Sequence, residues 1–104
     1  MGIERKLVRD KVPELLMKEG RLVNVIKVSG NELCNLLVMK LKEEVNELSM
    51  SLSIEESADI LEVLETLAEK CLGKAWNEVV KVKEAKKSKR GGFREGIVVE
   101  YIRK

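Results

Sequence analysis

The sequence predicts a mainly α domain, in which an antiparallel helical hairpin completes a four-helix bundle by oligomerisation, with one or two short peripheral strands. Three observations carry this expectation. Two long segments with apolar residues at helical spacing are joined by only a few residues around Ser51-Leu52-Ser53, which makes them antiparallel neighbours. Just two segments read as strands, too few for a sheet with its own core. The chain of 104 residues, 44% hydrophobic and 37% charged, suits one folded domain over 1–104 rather than two.

Asp10 is placed to cap a short helix with Pro13 in its first turn, running through Glu14-Leu15-Leu16-Met17-Lys18 to a stop at Gly20. From Arg21 to Val28, Leu22, Val23, Val25, Ile26 and Val28 alternate loosely with Asn24 and Lys27, the pattern of a short strand. Ser29-Gly30-Asn31-Glu32 offers a capping box for a long helix from about Glu32 to Ser49, and Ser53-Ile54-Glu55-Glu56 offers another for a helix from Ile54 to Leu72. Gly73 ends that helix. A fourth runs from about Lys74 to Lys89 and stops at Gly91-Gly92, and Ile97-Val98-Val99-Glu100-Tyr101-Ile102 is the second strand candidate. Two helices cannot bury both of their wide apolar faces alone, so a homodimer or homotetramer is expected.

Composition narrows the chemistry. Lys and Arg total 20 against 18 Asp and Glu, and the net charge of +2 makes no field that calls for nucleic acid or a membrane. Histidine is absent, which removes Ser-His-Asp and Cys-His catalysis and metal sites that need imidazole. Cys34 and Cys71 lie far apart within apolar helical patterns and read as reduced core residues. No stretch approaches the roughly 20 apolar residues of a membrane span, and a cytoplasmic location is expected. The Lys and Glu enrichment resembles a thermophile's composition.

The remaining candidates are carboxylates. On a helical wheel, Leu33, Leu36, Leu37, Leu41, Val45 and Leu48 share one broad arc. Glu44 falls inside it, Glu47 lies one turn on and on the same side, and Glu43 points farther towards solvent. On the next helix Glu56 and Asp59 make a second i,i+3 pair beside a face of Ile60, Leu61, Leu64 and Leu67, and the hairpin turn brings the two pairs together. Four carboxylates about 4–6 Å apart repel by several kcal/mol per pair at an effective dielectric near 20, which a cation among them relieves. All-oxygen ligation favours Mg²⁺, with Mn²⁺ the other option, and Mg²⁺ held this way takes phosphate oxygens in its open positions. Glu56 also stands where the Ser53 capping box wants its glutamate. Glu62, Glu65 and Glu69 continue as a solvent-facing stripe.

Glu43-Glu44-Val45-Asn46-Glu47 followed by Glu56-Ser57-Ala58-Asp59 resembles the EExxE…ExxD signature of the all-α nucleoside triphosphate pyrophosphatases, the MazG-like superfamily. Lys6-Leu7-Val8-Arg9-Asp10-Lys11-Val12-Pro13-Glu14 is similar to the opening of its small single-domain, phosphoribosyl-ATP pyrophosphohydrolase-like branch. Lys89-Arg90-Gly91-Gly92-Phe93 is similar to that branch's closing segment. The resemblance spans nearly the whole chain and departs from it in a shorter connection between Glu47 and Asp59. It implies Mg²⁺ ligation by Glu44, Glu47, Glu56 and Asp59, with Glu43 as an accessory carboxylate, so Glu43, Glu44 and Glu47 are the catalytic candidates. The implied reaction is cleavage between the α- and β-phosphates of a nucleotide by water, releasing pyrophosphate and a monophosphate. House-cleaning of non-standard nucleotides and a dedicated substrate such as phosphoribosyl-ATP are both open.

Phosphates also need cations. The resemblance and the charge pattern nominate Lys6, Arg9 and Lys11 at one end and Lys86, Lys89 and Arg90 at the other. The second group also reads as the solvated face and last turn of a helix, where cations suit the dipole. Trp76 reads as core or subunit-interface packing. The alternative to an enzyme is a non-enzymatic helical interaction module whose acidic stripe is structural. Nucleic-acid binding by the basic run from Lys83 to Arg94 is the weakest reading, because aromatics total 3% and acidic residues interrupt the run.

Overall fold

A computed structural model describes residues 2–103. Among these residues four helices follow one another: α1 (Val12–Lys18), α2 (Gly30–Met50), α3 (Ile54–Lys70) and α4 (Trp76–Arg90). The fold is mainly helical, as the periodicity predicts. Three residues join α2 to α3, and the two helices form the hairpin at the centre of the molecule, while α4 packs against α3 alone and α1 against no other helix.

The helix ends divide into those the sequence places and those it does not. Ser53 accepts a hydrogen bond on its Oγ from the Glu56 N–H at 3.3 Å, satisfying one of the free amides of the first turn of α3. Gly91, with φ +82°, takes the backbone out of α4 where the paired glycines predict a stop. Asp10 does not cap α1: the cap position falls one residue later, at Lys11, with no side-chain bond, and Pro13 lies in the first turn as expected. Ser29 occupies the cap position of α2 but its hydroxyl caps nothing, and Glu32, instead of closing a box, pairs with Arg5 at 3.1 Å. α3 ends at Lys70 rather than Leu72. Its last turn closes through Leu72 N–H to Leu67 O and Lys74 N–H to Ala68 O around Gly73, which delays α4 to Trp76.

Packing between α2 and α3 is a narrow seam. Among the described residues, only Leu37, Val63 and Ala68 of the apolar side chains are buried, together with Glu44. Leu37 and Glu44 lie seven residues apart, so the contact follows a heptad line rather than the broad arc of the wheel. Val45, expected on that arc, is 49% exposed, and Leu61 and Leu64 look outward from α3. The reason is geometric: two rods touch along a line, and residues about 100° from it need a third partner to be covered.

Cys34 and Cys71 form a disulfide, with Cα atoms 5.9 Å apart, so the expectation of two reduced core thiols is corrected. Their separation of 37 residues says nothing about distance once the chain folds back at Ser51-Leu52-Ser53, because the start of α2 then lies beside the end of α3.

No strand forms among the described residues. Segments 22–28 and 97–102 carry the predicted apolar residues, but neither makes a backbone hydrogen bond to a described residue, and a strand needs such a ladder. The molecule measures 61 × 31 × 29 Å with a radius of gyration of 18.3 Å, against about 13 Å for a compact domain of this length. No helix among the described residues is long and apolar enough to cross a membrane.

Candidate metal centre

The seam ends, towards the α2–α3 turn, in carboxylates. Glu44 sits at the middle with 5% of its surface exposed. Its oxygens lie within 4.8 Å of those of Glu43 and Glu47 on one side and of Glu56 and Asp59 on the other, so it belongs to two acidic triads at once. The i,i+3 spacing within each helix and the tight turn produce this convergence on Glu44, which joins Glu47 in one triad and Glu56 and Asp59 in the other.

Glu43 and Glu47 exchange their expected environments. Glu43 is half-buried, because the segment preceding α1 crosses α2 there: Glu4, Arg5, Lys6 and Leu7 form a cleft with Leu36, Met39, Lys40 and Glu43. Glu47 lies past that cover and is exposed, although its carboxylate still reaches Glu43 and Glu44. Glu56 meets the Ser53 cap through its backbone only, and its side chain does not close the capping box. Its backbone N–H donates to the Ser53 cap while its side chain points into the cluster.

Two oxygens, Glu44 Oε2 and Glu56 Oε2, are buried with no hydrogen-bond donor in reach. A buried acceptor without a donor is costly, and two ionised carboxylates cannot satisfy each other. The Glu56 carboxyl is accordingly pushed up to about 7, first by desolvation and then by hydrogen bonding to Glu47 and Glu44 and by their negative charge.

Three protein cations meet the cluster. Arg9 Nη2 donates to Asp59 Oδ1 at 2.6 Å, which raises the already high guanidinium pKa. Lys6 Nζ is 3.9 Å from Glu43 Oε1. Lys40 Nζ is 3.7 Å from Glu43 Oε1 and 3.4 Å from Glu44 Oε1. Lys40 is the residue that the sequence reading overlooked, although its i,i+4 spacing to Glu44 was a usable signal. With all five carboxylates ionised, these three cations leave two negative charges uncompensated.

Of the six predicted phosphate-binding cations, Lys6 and Arg9 therefore reach the cluster. Lys11 is exposed and forms no ion pair with a described residue. Lys86, Lys89 and Arg90 lie in the last turns of α4, which packs against α3, and form no ion pair with a described residue. Trp76 and Val79, at the start of α4, are half-buried.

The donor set fits a hard divalent cation: oxygen ligands only, two triads sharing one buried glutamate, two buried oxygens without donors, and a local charge deficit of the right sign. No protein-family model, curated protein or solved structure matches this chain.

Proposed function

We propose that the protein is a Mg²⁺-dependent nucleotide pyrophosphohydrolase that cleaves a nucleoside triphosphate between its α- and β-phosphates. The observation that carries this reading is the burial of Glu44 at the junction of two acidic triads, with donorless oxygens on Glu44 and Glu56. Glu44, Glu47, Glu56 and Asp59 would hold the ion, with Mn²⁺ as a substitute. The ion supplies charge neutralisation for phosphate oxygens and lowers the pKa of bound water. The chain's own residues do the rest. Arg9 and Lys6 approach the carboxylates from the segment preceding α1 and are placed to turn towards phosphate once Asp59 and Glu43 have another partner. Glu47, at the open flank, and Glu43, beside it under residues 4–7, are the groups placed to accept a proton from the attacking water. The substrate class rests on the MazG-like signature, and self-association and a cytoplasmic location belong to the same proposal. A disulfide in a cytoplasmic protein is characteristic of hyperthermophiles, which the Lys- and Glu-rich composition also suggests.

A specific observation favours a rival. Lys40 and Arg9 already pair with Glu44 and Asp59, as they would in a purely structural salt-bridge network of an interaction module. Incubation with a panel of nucleoside triphosphates and phosphoribosyl-ATP in Mg²⁺ separates the two readings. Pyrophosphate release that Glu44→Gln and Asp59→Asn both abolish is the expected result, and absence of release from every nucleotide defeats the enzyme reading. Stabilisation by metal without turnover would leave a structural ion site.

A further inference from the structure

We propose that segments 22–28 and 97–102 pair with each other between two copies of this chain, forming two equivalent intermolecular β-ladders about a two-fold axis. The inference does not depend on the chemistry at the carboxylates.

Both segments have strand composition and no partner. Val23, Val25, Ile26 and Val28 in one, and Ile97, Val98, Val99 and Ile102 in the other, are β-branched. Leu22 is 100% exposed, Tyr101 and Ile102 92%, and neither segment's backbone bonds to a described residue. Unpaired apolar segments of this kind are aggregation hazards unless a defined partner takes them up.

Area and symmetry identify that partner as a second copy. The chain exposes 9796 Å² of surface, whereas a compact monomer of 11.8 kDa exposes about 5,900 Å². The excess far outstrips the roughly 800 Å² per partner that a stable dimer buries. Each chain contributes one segment of each kind, so a two-fold axis that joins 22–28 of one copy to 97–102 of the other pairs all four segments at once. Pairing like with like would require both ladders to lie on that single axis, although the segments leave the fold from different places, one before α2 and one beyond α4. Lys27 and Glu100 give the mixed pair opposite charges. A two-stranded ladder needs an apolar surface beneath it, and Val38, Met39, Leu61 and Leu64 on the outer faces of the hairpin supply one.

Hydrogen–deuterium exchange on the full chain, read by peptide mass spectrometry beside sedimentation equilibrium, tests the proposal. The expected result is a dimer in which amides of both segments exchange at least about tenfold more slowly than on dilution to monomer. Val99→Pro removes a ladder donor at a position that makes no bond within the chain, so the helical circular dichroism should persist. Mixed pairing predicts that this variant weakens the dimer and deprotects 22–28 as well as 97–102. Deprotection of 97–102 alone would indicate like-with-like pairing and overturn the proposal. So would protection in a monomer independent of concentration, or a dimer in which both segments exchange freely. If Val99→Pro does not fold, the wild-type dilution series decides by itself.

Discussion

Replacing Lys40 with methionine distinguishes a metal centre from a structural ion-pair network. Methionine keeps an unbranched apolar stem while removing the ammonium that lies 3.4 Å from Glu44 and 3.7 Å from Glu43. At an effective dielectric near 20, a 3.4 Å separation corresponds to about 5 kcal/mol of gross attraction. The Lys40 side chain is 26% exposed, so solvent screening and regained rotamer freedom reduce the net loss to about 1–2 kcal/mol. For a domain of this size that lowers Tm by about 5–15 °C in chelator. A divalent ion answers the same carboxylates, and an ion bound at 100 times its Kd adds about 2.7 kcal/mol. Removing a competing cation also strengthens that binding. The expected outcome is therefore a large deficit in EDTA that shrinks or vanishes in millimolar Mg²⁺ or Mn²⁺, followed by circular dichroism melts of both proteins. Equal deficits with and without metal would refute the reasoning and identify Lys40–Glu44 as structure alone.

Three further outcomes are expected. Cys34→Ser, or reduction of the wild type, should cost up to about 4 kcal/mol, the chain-entropy value for a loop of this length, measured by urea denaturation with and without reductant. The raised Glu56 pKa fixes the sign of two pH effects. In metal-free protein the group's stabilising contribution is complete below its unfolded value near 4.5 and is lost as pH rises through about 7, whereas metal affinity rises over that interval as the competing proton leaves. Calorimetric titration at pH 5.5 and 8 should show this trend, and Glu56→Gln should flatten it. Ser53→Ala should lower stability by about 1 kcal/mol through loss of the α3 cap, with no change in which metals bind.

What could be read from the sequence follows the range of the interactions involved. The hairpin was legible because apolar periodicity and a three-residue turn are local facts, and the turn alone aligns Glu44 with Glu56 and Asp59. The Ser53 cap and the Gly91 stop are equally local. The failures are cases where a distant segment decides. Glu43 is covered and Glu47 left open because residues 4–7 cross one flank of α2, a packing that no wheel of α2 contains. Glu32 abandons its predicted box because Arg5, 27 residues away, offers a full charge. The disulfide needed only the hairpin register to be carried as far as residues 34 and 71, a step that the wide sequence separation concealed. The strand candidates have the right composition, but a strand is defined by its neighbour, and none of the described residues bonds to either segment's backbone.

The two ends of the hairpin are held by different forces, and the difference bears on how an ion would bind. At one end the disulfide joins α2 to α3, and Leu37, Val63 and Ala68 bury the adjoining stretch of seam. Ten residues along α2, about 15 Å away at helical rise, the seam reaches Glu44, where covalent and apolar restraint give way to charge. There the carboxylates of α2 face those of α3; Lys6 and Arg9 tie the two helices through Glu43 and Asp59, while Lys40 offsets Glu43 and Glu44 on its own helix. Two of those cations, Lys6 and Arg9, come from a segment that forms no helix of its own and packs through its side chains. Helix spacing at the open end is thus set by a balance of charges, while the stapled end keeps the register fixed. On the proposed function, an ion entering the cluster would add attraction between α2 and α3 where the chain is free to respond, and would compete with Arg9 and Lys6 for their carboxylates.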